Sequence, residues 1–129
     1  MNRLFVYGSL RSETGTEPAR YLARRAKRIG PAKVQGRLYS LGSYPAMALS
    51  TKPHEWVQGE LYRLPNPKEI LCALDQYEGC GKGEPAGEFE RVAVTAVVGE
   101  TRFSCWAYVC RFRPPEDTRI SSGDYVKSQ

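Results

Sequence analysis

Between Lys33 and Arg63 polar and apolar residues alternate in three short runs: Val34-Gln35-Gly36-Arg37-Leu38-Tyr39, Ala46-Met47-Ala48-Leu49, and Glu55 to Arg63. The runs are broken by Gly42-Ser43-Tyr44-Pro45 and by Lys52-Pro53. A period of two predicts three strands joined by turns. Gly36 and Gly59 stand inside these strands, where a glycine more often marks a bulge or tight curvature than a ligand contact. Phe89 to Val98 and Arg102 to Arg111 alternate in the same way around a Gly99-Glu100 turn, and Leu4-Phe5-Val6-Tyr7 is a two-sided apolar strand that stops at Gly8-Ser9. Segments with a helical period are scarcer. Thr14 and Glu17 stand at capping-box spacing, Pro18 falls in a first turn, and Leu22, Ala26 and Ile29 share one face before Gly30-Pro31. Asn66-Pro67-Lys68-Glu69 opens a second helix, which runs to about Tyr77 or Glu78 and stops at Gly79. Strands and helices do not alternate regularly, so the expectation is an α+β fold with a curved or closed mixed sheet. The segment from Arg113 to Tyr125 reads as loop.

A chain of 129 residues is long enough for one domain, residues 1–129, with a hydrophobic core. With 41% apolar and 26% charged residues it is neither disordered nor membrane-spanning. The N-terminus lacks a basic-then-apolar leader, so the expected location is the cytoplasm. Residues 1–64 carry 11 basic and 4 acidic side chains, and residues 65–129 carry 8 and 10. Most of the excess lies in Arg20, Arg24, Arg25, Lys27 and Arg28, read as a solvated helix face near a helix C-terminus. No nucleic-acid-binding signature surrounds them, and an anionic small substrate is the second reading. Cys72, Cys80, Cys105 and Cys110 show no C-x-x-C spacing and His54 is the one histidine, so no structural zinc is expected. Cys105 and Cys110 fall on opposite faces if they share a strand. A Cys–His nucleophile from Cys80 and His54 has only the residue types in its favour.

Two features carry chemistry. On the second helix, at about 100° per residue, Glu78 projects between Leu74 and Leu71 on the apolar face. Either the helix end turns it into solvent, or apolar walls disfavour its charged form and raise its pKa towards acid/base work. The turn Tyr7-Gly8-Ser9-Leu10-Arg11 can present successive N–H groups as a nest for a carboxylate, or be a plain strand-to-loop turn. No dinucleotide or P-loop fingerprint is present.

In order along the chain stand V-Y-G-S-L-R, G-R-L-Y-S-L-G-S-Y-P-A, V-Q-G-E-L-Y, L-D-Q-Y-E-G, F-E-R-V-A-V and I-S-S-G-D-Y. Together, from Leu4 to about Tyr125, they resemble the gamma-glutamylcyclotransferase-like family. The resemblance implies a small mixed β-barrel flanked by helices, with the Y-G-S-L turn and the glutamate facing one cavity. It implies cyclisation of a γ-glutamyl amine or peptide to 5-oxoproline, with Glu78 as general acid/base. The backbone of Gly8, Ser9 and Leu10 would hold the substrate α-carboxylate, and Tyr7, Tyr44 and Tyr125 would line the pocket. Arg11 is either an aid to anion attraction or a surface arginine. No metal or organic cofactor is implied, and the partner is a small γ-glutamyl substrate, with no nucleic acid or membrane. The leaving amine and the oligomeric state stay open. Phe89 departs from the family pattern, since many relatives carry a tyrosine there. Arg91 reads as a structural ion-pair partner, and the glycine-rich loop 79–87 as a feature of the pocket rim. Two other classes remain beside the enzyme: a binder of small carboxylates on the same fold, and a pathway-specific enzyme that removes a γ-glutamyl protecting group.

Overall fold

The structure, a computed structural model, describes residues 1–8, 17–42, 44–77 and 88–125. In chain order these form β1 (Arg3–Val6), α1 (Glu17–Arg25), β2 (Lys27–Ser40), β3 (Pro45–Leu49), β4 (Trp56–Arg63), α2 (Pro67–Tyr77), β5 (Phe89–Val98) and β6 (Thr101–Cys110). A 3₁₀ turn over Glu116–Thr118 and a two-residue strand β7 (Arg119–Ile120) follow. Strands β2, β4, β1, β6 and β5 are neighbours in that order, and the pairing Lys33↔Val97 brings β5 back to β2. The result is a closed five-stranded barrel with two helices, as expected. β1 and β6 run parallel while every other pairing is antiparallel, so the sheet is mixed.

The apolar run of β1 explains where the core sits. Alternate residues of a strand face opposite sides, and here both sides are covered. Phe5 and Tyr7 join Val34, Leu38, Met47, Val57, Leu61 and Ala107 inside the barrel. Leu4 and Val6 join Leu22 of α1 and Ile70, Leu71 and Leu74 of α2 on its outside. Gly59 makes the crossing possible: a Cβ there would stand 2.1 Å from the Val6 carbonyl oxygen and 2.8 Å from the Phe5 ring.

Several expectations are corrected. α1 ends at Arg25, four residues short of Ile29, once Ala26 N–H has bonded the Leu22 carbonyl at 2.8 Å. Lys27 and Arg28 then pair with Arg63 and Tyr62 of β4, and Arg28 Nε reaches the carboxylate of Glu60 at 2.6 Å. Glu60 is 1% exposed, so the ladder together with a buried charge in need of a partner outweighs helix propensity. Ile29 is left exposed on the strand. The basic cluster is therefore split. Arg20, Arg24 and Arg25 are exposed on the helix beside Glu17 and Glu69, whereas Lys27 and Arg28 belong to the barrel. The register shift in β2 falls between Arg28 and Gly30. Gly36 and Gly59 are places of close backbone approach, since a Cβ at Gly36 would stand 2.8 Å from the Ala48 carbonyl oxygen. The tail is tied down as well. β7 pairs with Leu38 and Tyr39, and Gln58 N–H bonds the carbonyl of Gly123, which must be glycine because its φ is 71° and a Cβ there would stand 2.0 Å from the Trp56 carbonyl oxygen. Arg119 and Arg37 converge on Glu55 at 2.9 and 3.0 Å, and the Ser50 hydroxyl donates to the same carboxylate.

Candidate active site

β1 leaves the barrel at Val6, and Tyr7 carries the chain to the end closed by β3. The Tyr7 hydroxyl donates to the carbonyl oxygen of Tyr108 on β6 at 2.6 Å and accepts from the N–H of Met47 on β3 at 3.3 Å. One phenol thus spans two strands that do not form a ladder with each other, and adds a side-chain hydrogen bond to a buried backbone group of each. The next residue, Gly8, is buried beneath Pro45, where a Cβ would lie 2.5 Å from the ring Cγ. Glycine therefore lets the β1 end and the Tyr44-Pro45 corner approach each other.

Tyr44 donates from its hydroxyl to the carboxylate of Glu88, and its ring lies 6.1 Å from that of Phe89. The Glu88 hydrogen bond, burial and the nearby negative charge raise the Tyr44 phenol above its ordinary value, so it stays a neutral donor. Phe89 is buried. Tyr125 is 8% exposed and packs in the barrel cluster with Tyr7 and Met47. Tyr7, Gly8 and the Tyr44-Pro45 corner thus meet at one end of the barrel, and Tyr125 shares its core. Glu78, Ser9 and Leu10 lie outside the described residues, as do Arg11, Cys80 and loop 79–87.

The last turn of α2 is anchored at this same end. Asp75 Oδ1 accepts from Arg91 Nε at 2.8 Å and from the Tyr108 hydroxyl at 2.7 Å, and Oδ2 accepts from Arg91 Nη2 at 3.1 Å. The Arg91 guanidinium also lies over the Trp106 ring, 4.5 Å from its centroid. Arg91 is the ion-pair partner that the sequence led us to expect. Asp75 and Tyr108 were not foreseen: the signal for Asp75 is its place in L-D-Q-Y-E-G, three residues before Glu78, while Tyr108 looks like any core tyrosine of an alternating strand.

Two of the thiols, Cys105 and Cys110, are poor nucleophiles here. Burial pushes Cys105 up to about 11 and raises Cys110, whose Sγ donates to the Met47 carbonyl at 3.3 Å. His54 lines a separate cavity of about 220 Å³ beside Glu55 and Arg119.

The family model for "Gamma-glutamyl cyclotransferase, AIG2-like" matches residues 4–127. The chain belongs to the gamma-glutamyl cyclotransferase, AIG2-like family. It is 33% identical to the gamma-glutamylcyclotransferase family protein YtfP of Escherichia coli K12 over 126 residues, 96% of each chain. Among solved structures, an AIG2-like protein of Mus musculus superposes with a TM-score of 0.74 at 21% identity, over 97% of this chain and 88% of that one. YkqA of Bacillus subtilis gives 0.73 at 24% identity; the match covers 99% of this chain but 40% of YkqA. These structural likenesses extend the fold assignment to the whole barrel of this AIG2-like chain.

Proposed function

We propose that this AIG2-like protein cyclises a γ-glutamyl amine or γ-glutamyl peptide to 5-oxoproline and releases the free amine. The observation that carries the reading is the junction of β1 and β3. Tyr7 is clamped between Tyr108 and Met47, and Gly8 is seated against Pro45, at the start of the Y-G-S-L sequence that the family resemblance assigns to the substrate carboxylate.

In the proposed reaction the substrate α-amine nitrogen attacks its own γ-carbonyl carbon. A C–N bond forms within a five-membered lactam, and the C–N bond to the leaving amine breaks. Glu78 takes the proton lost by the attacking amine and delivers one to the departing nitrogen, so the enzyme is unchanged at the end. Because nucleophile and electrophile belong to one molecule, orientation alone accounts for up to about 7–11 kcal/mol of the barrier. One titratable group and a fixed carboxylate anchor then suffice. The backbone N–H groups of Gly8, Ser9 and Leu10 serve as that anchor, and Tyr7, Tyr44 and Tyr125 shape the walls. The reaction needs no oxidant and is placed in the reducing cytosol, a setting that suits the free thiols Cys72, Cys105 and Cys110.

The test is release of 5-oxoproline from a panel of γ-glutamyl amino acids, γ-glutamyl amines, γ-glutamyl-ε-lysine and glutathione, with the Glu78→Gln protein as control. Turnover of at least one member that falls at least 100-fold in the variant, with an unchanged unfolding curve, is the expected outcome. Equal rates for the two proteins would remove Glu78 from the mechanism. Tight binding of free γ-glutamyl compounds with no turnover would identify a carboxylate-binding protein instead.

A further inference from the structure

Away from the Tyr7–Gly8 junction, an open groove of about 870 Å³ runs between β2, the end of β3 and β5. Its origin is the seam that closes the barrel. β2 and β5 pair at Lys33↔Val97, after which β2 turns to pair with β3 from Gly36 onward. Among the described residues this is the one ladder pair on that side of β5, whereas Phe89 to Val98 are all paired with β6 on the other. In an antiparallel strand every second residue directs its N–H and C=O away from a given neighbour. Among the described residues, the stretch over Ala93, Val94 and Thr95 therefore presents a free strand edge. All three residues line the groove although neighbours in a strand point to opposite faces, so the groove follows the edge and not one face of the sheet.

The lining is also one-sided in charge. Arg37, Lys52, Arg111 and Arg113 contribute to it, and no aspartate or glutamate does. Arg37 is committed to Glu55, but among the described residues no carboxylate pairs with Lys52, Arg111 or Arg113. Leu49 and Phe112, both exposed, supply apolar surface on the same walls. A free edge, flanking cations and apolar contacts are what strand addition by a peptide requires: main-chain hydrogen bonds supply affinity and alternate side chains supply selectivity. The volume lies within the ~300–1,000 Å³ of ligand-binding clefts. A nucleic-acid strand is the poorer match, because the lining lacks successive aromatic platforms for bases.

We propose that this groove binds an acidic peptide segment in extended form, which adds as a strand to the free edge of β5. The site is independent of the cyclisation chemistry. Its ligand alternates acidic side chains, which meet Lys52, Arg111 and Arg113, with apolar ones that pack on Leu49 and Phe112.

The test uses the full chain and fluorescence anisotropy with labelled ten-residue peptides. A Glu-Val repeat is expected to bind, a Lys-Val repeat and a Glu-Pro repeat at least tenfold more weakly, and the Lys52→Glu/Arg113→Glu variant should lose at least tenfold for the Glu-Val repeat. Both side chains are exposed, so the variant keeps its fold. Amide exchange at Ala93–Thr95 should slow in the complex. No binding of the Glu-Val repeat, or equal binding of the Glu-Pro repeat, would overturn strand addition. Equal affinity for a ten-nucleotide oligothymidylate, or for the variant, would overturn the peptide assignment.

Discussion

The carbonyl oxygen of Tyr108 accepts the Tyr7 hydroxyl at 2.6 Å, while the Tyr108 hydroxyl donates to Asp75 at 2.7 Å. One residue of β6 thus holds the exit of β1 through its backbone and the last turn of α2 through its side chain. The two segments that the proposed reaction draws on, the Y-G-S-L turn and the end of α2, are registered against a common strand.

Removing the Tyr7 hydroxyl separates its structural role from its bulk. Tyr7→Phe leaves the Met47 N–H and the Tyr108 carbonyl each without the phenol in a buried place. A cost of roughly 1–3 kcal/mol is expected, the range for a buried polar group deprived of its partner. Urea unfolding of the two proteins measures it; a difference below about 0.5 kcal/mol, the usual reach of neutral surface substitutions, would mean that the bridge is not structural.

Gly59→Ala tests the crossing of β1. The added carbon would stand 2.1 Å from a backbone oxygen, and no side-chain rotation relieves that contact. Strands β1 and β4 would have to separate, so a loss of at least about 3 kcal/mol is expected, above the usual 1–3 kcal/mol for overpacking because the obstacle is backbone. Thermal unfolding followed by circular dichroism reads the outcome, and near-parental stability would contradict the packing described.

The Asp75 carboxylate gathers three donated hydrogen bonds, from Arg91 and Tyr108. Asp75→Asn keeps the shape, removes the charge and places amide hydrogens against a guanidinium. Turnover of a γ-glutamyl substrate, once found, should drop about tenfold or more in kcat with KM changed less than threefold, since a misplacement of about 1 Å suffices for large rate losses. Arg91→Lys should give an intermediate rate. An unchanged kcat in both variants would show that the anchor serves stability alone.

Acid should loosen the segment that carries β7. The Ser50 hydrogen bond comes first and Arg37 next among the groups that depress Glu55, to about 2 from an ordinary 4.5. A carboxylate whose folded pKa is depressed contributes stability that is fully present above its unfolded pKa and is lost as pH falls through the folded value. The loss therefore falls between about pH 4.5 and 2. Glu55→Gln should flatten the stability profile across that window, as read by urea midpoints at a series of pH values. A profile of the same slope in both proteins would exclude Glu55 as the titrating group.

The elements of the barrel were legible because their signals are local. The period-two runs, the Asn66-Pro67 start and the two-sided apolar β1 each reflect burial that any compact fold would impose on them. The helical reading of Ala26 to Ile29 went astray because the face it predicted was overruled from a distance: Lys27 and Arg28 found partners on β4, and Arg28 answers the buried Glu60. The loop reading of the tail missed β7 for the same reason, since Arg119 is held by Glu55, which lies far away in the chain.

By itself the sequence determined the alternation of the strands, the mixed α+β class, the family resemblance and the identity of the residues to ask about. The tertiary structure alone decided which strands close the barrel, that Gly59 and Gly8 sit where other chain segments leave no room, and that Tyr108 joins Tyr7 to Asp75. The physical reason is that periodicity records only whether a residue faces apolar surroundings. Partnerships such as Tyr7–Tyr108, 101 residues apart, depend on closure of the whole sheet.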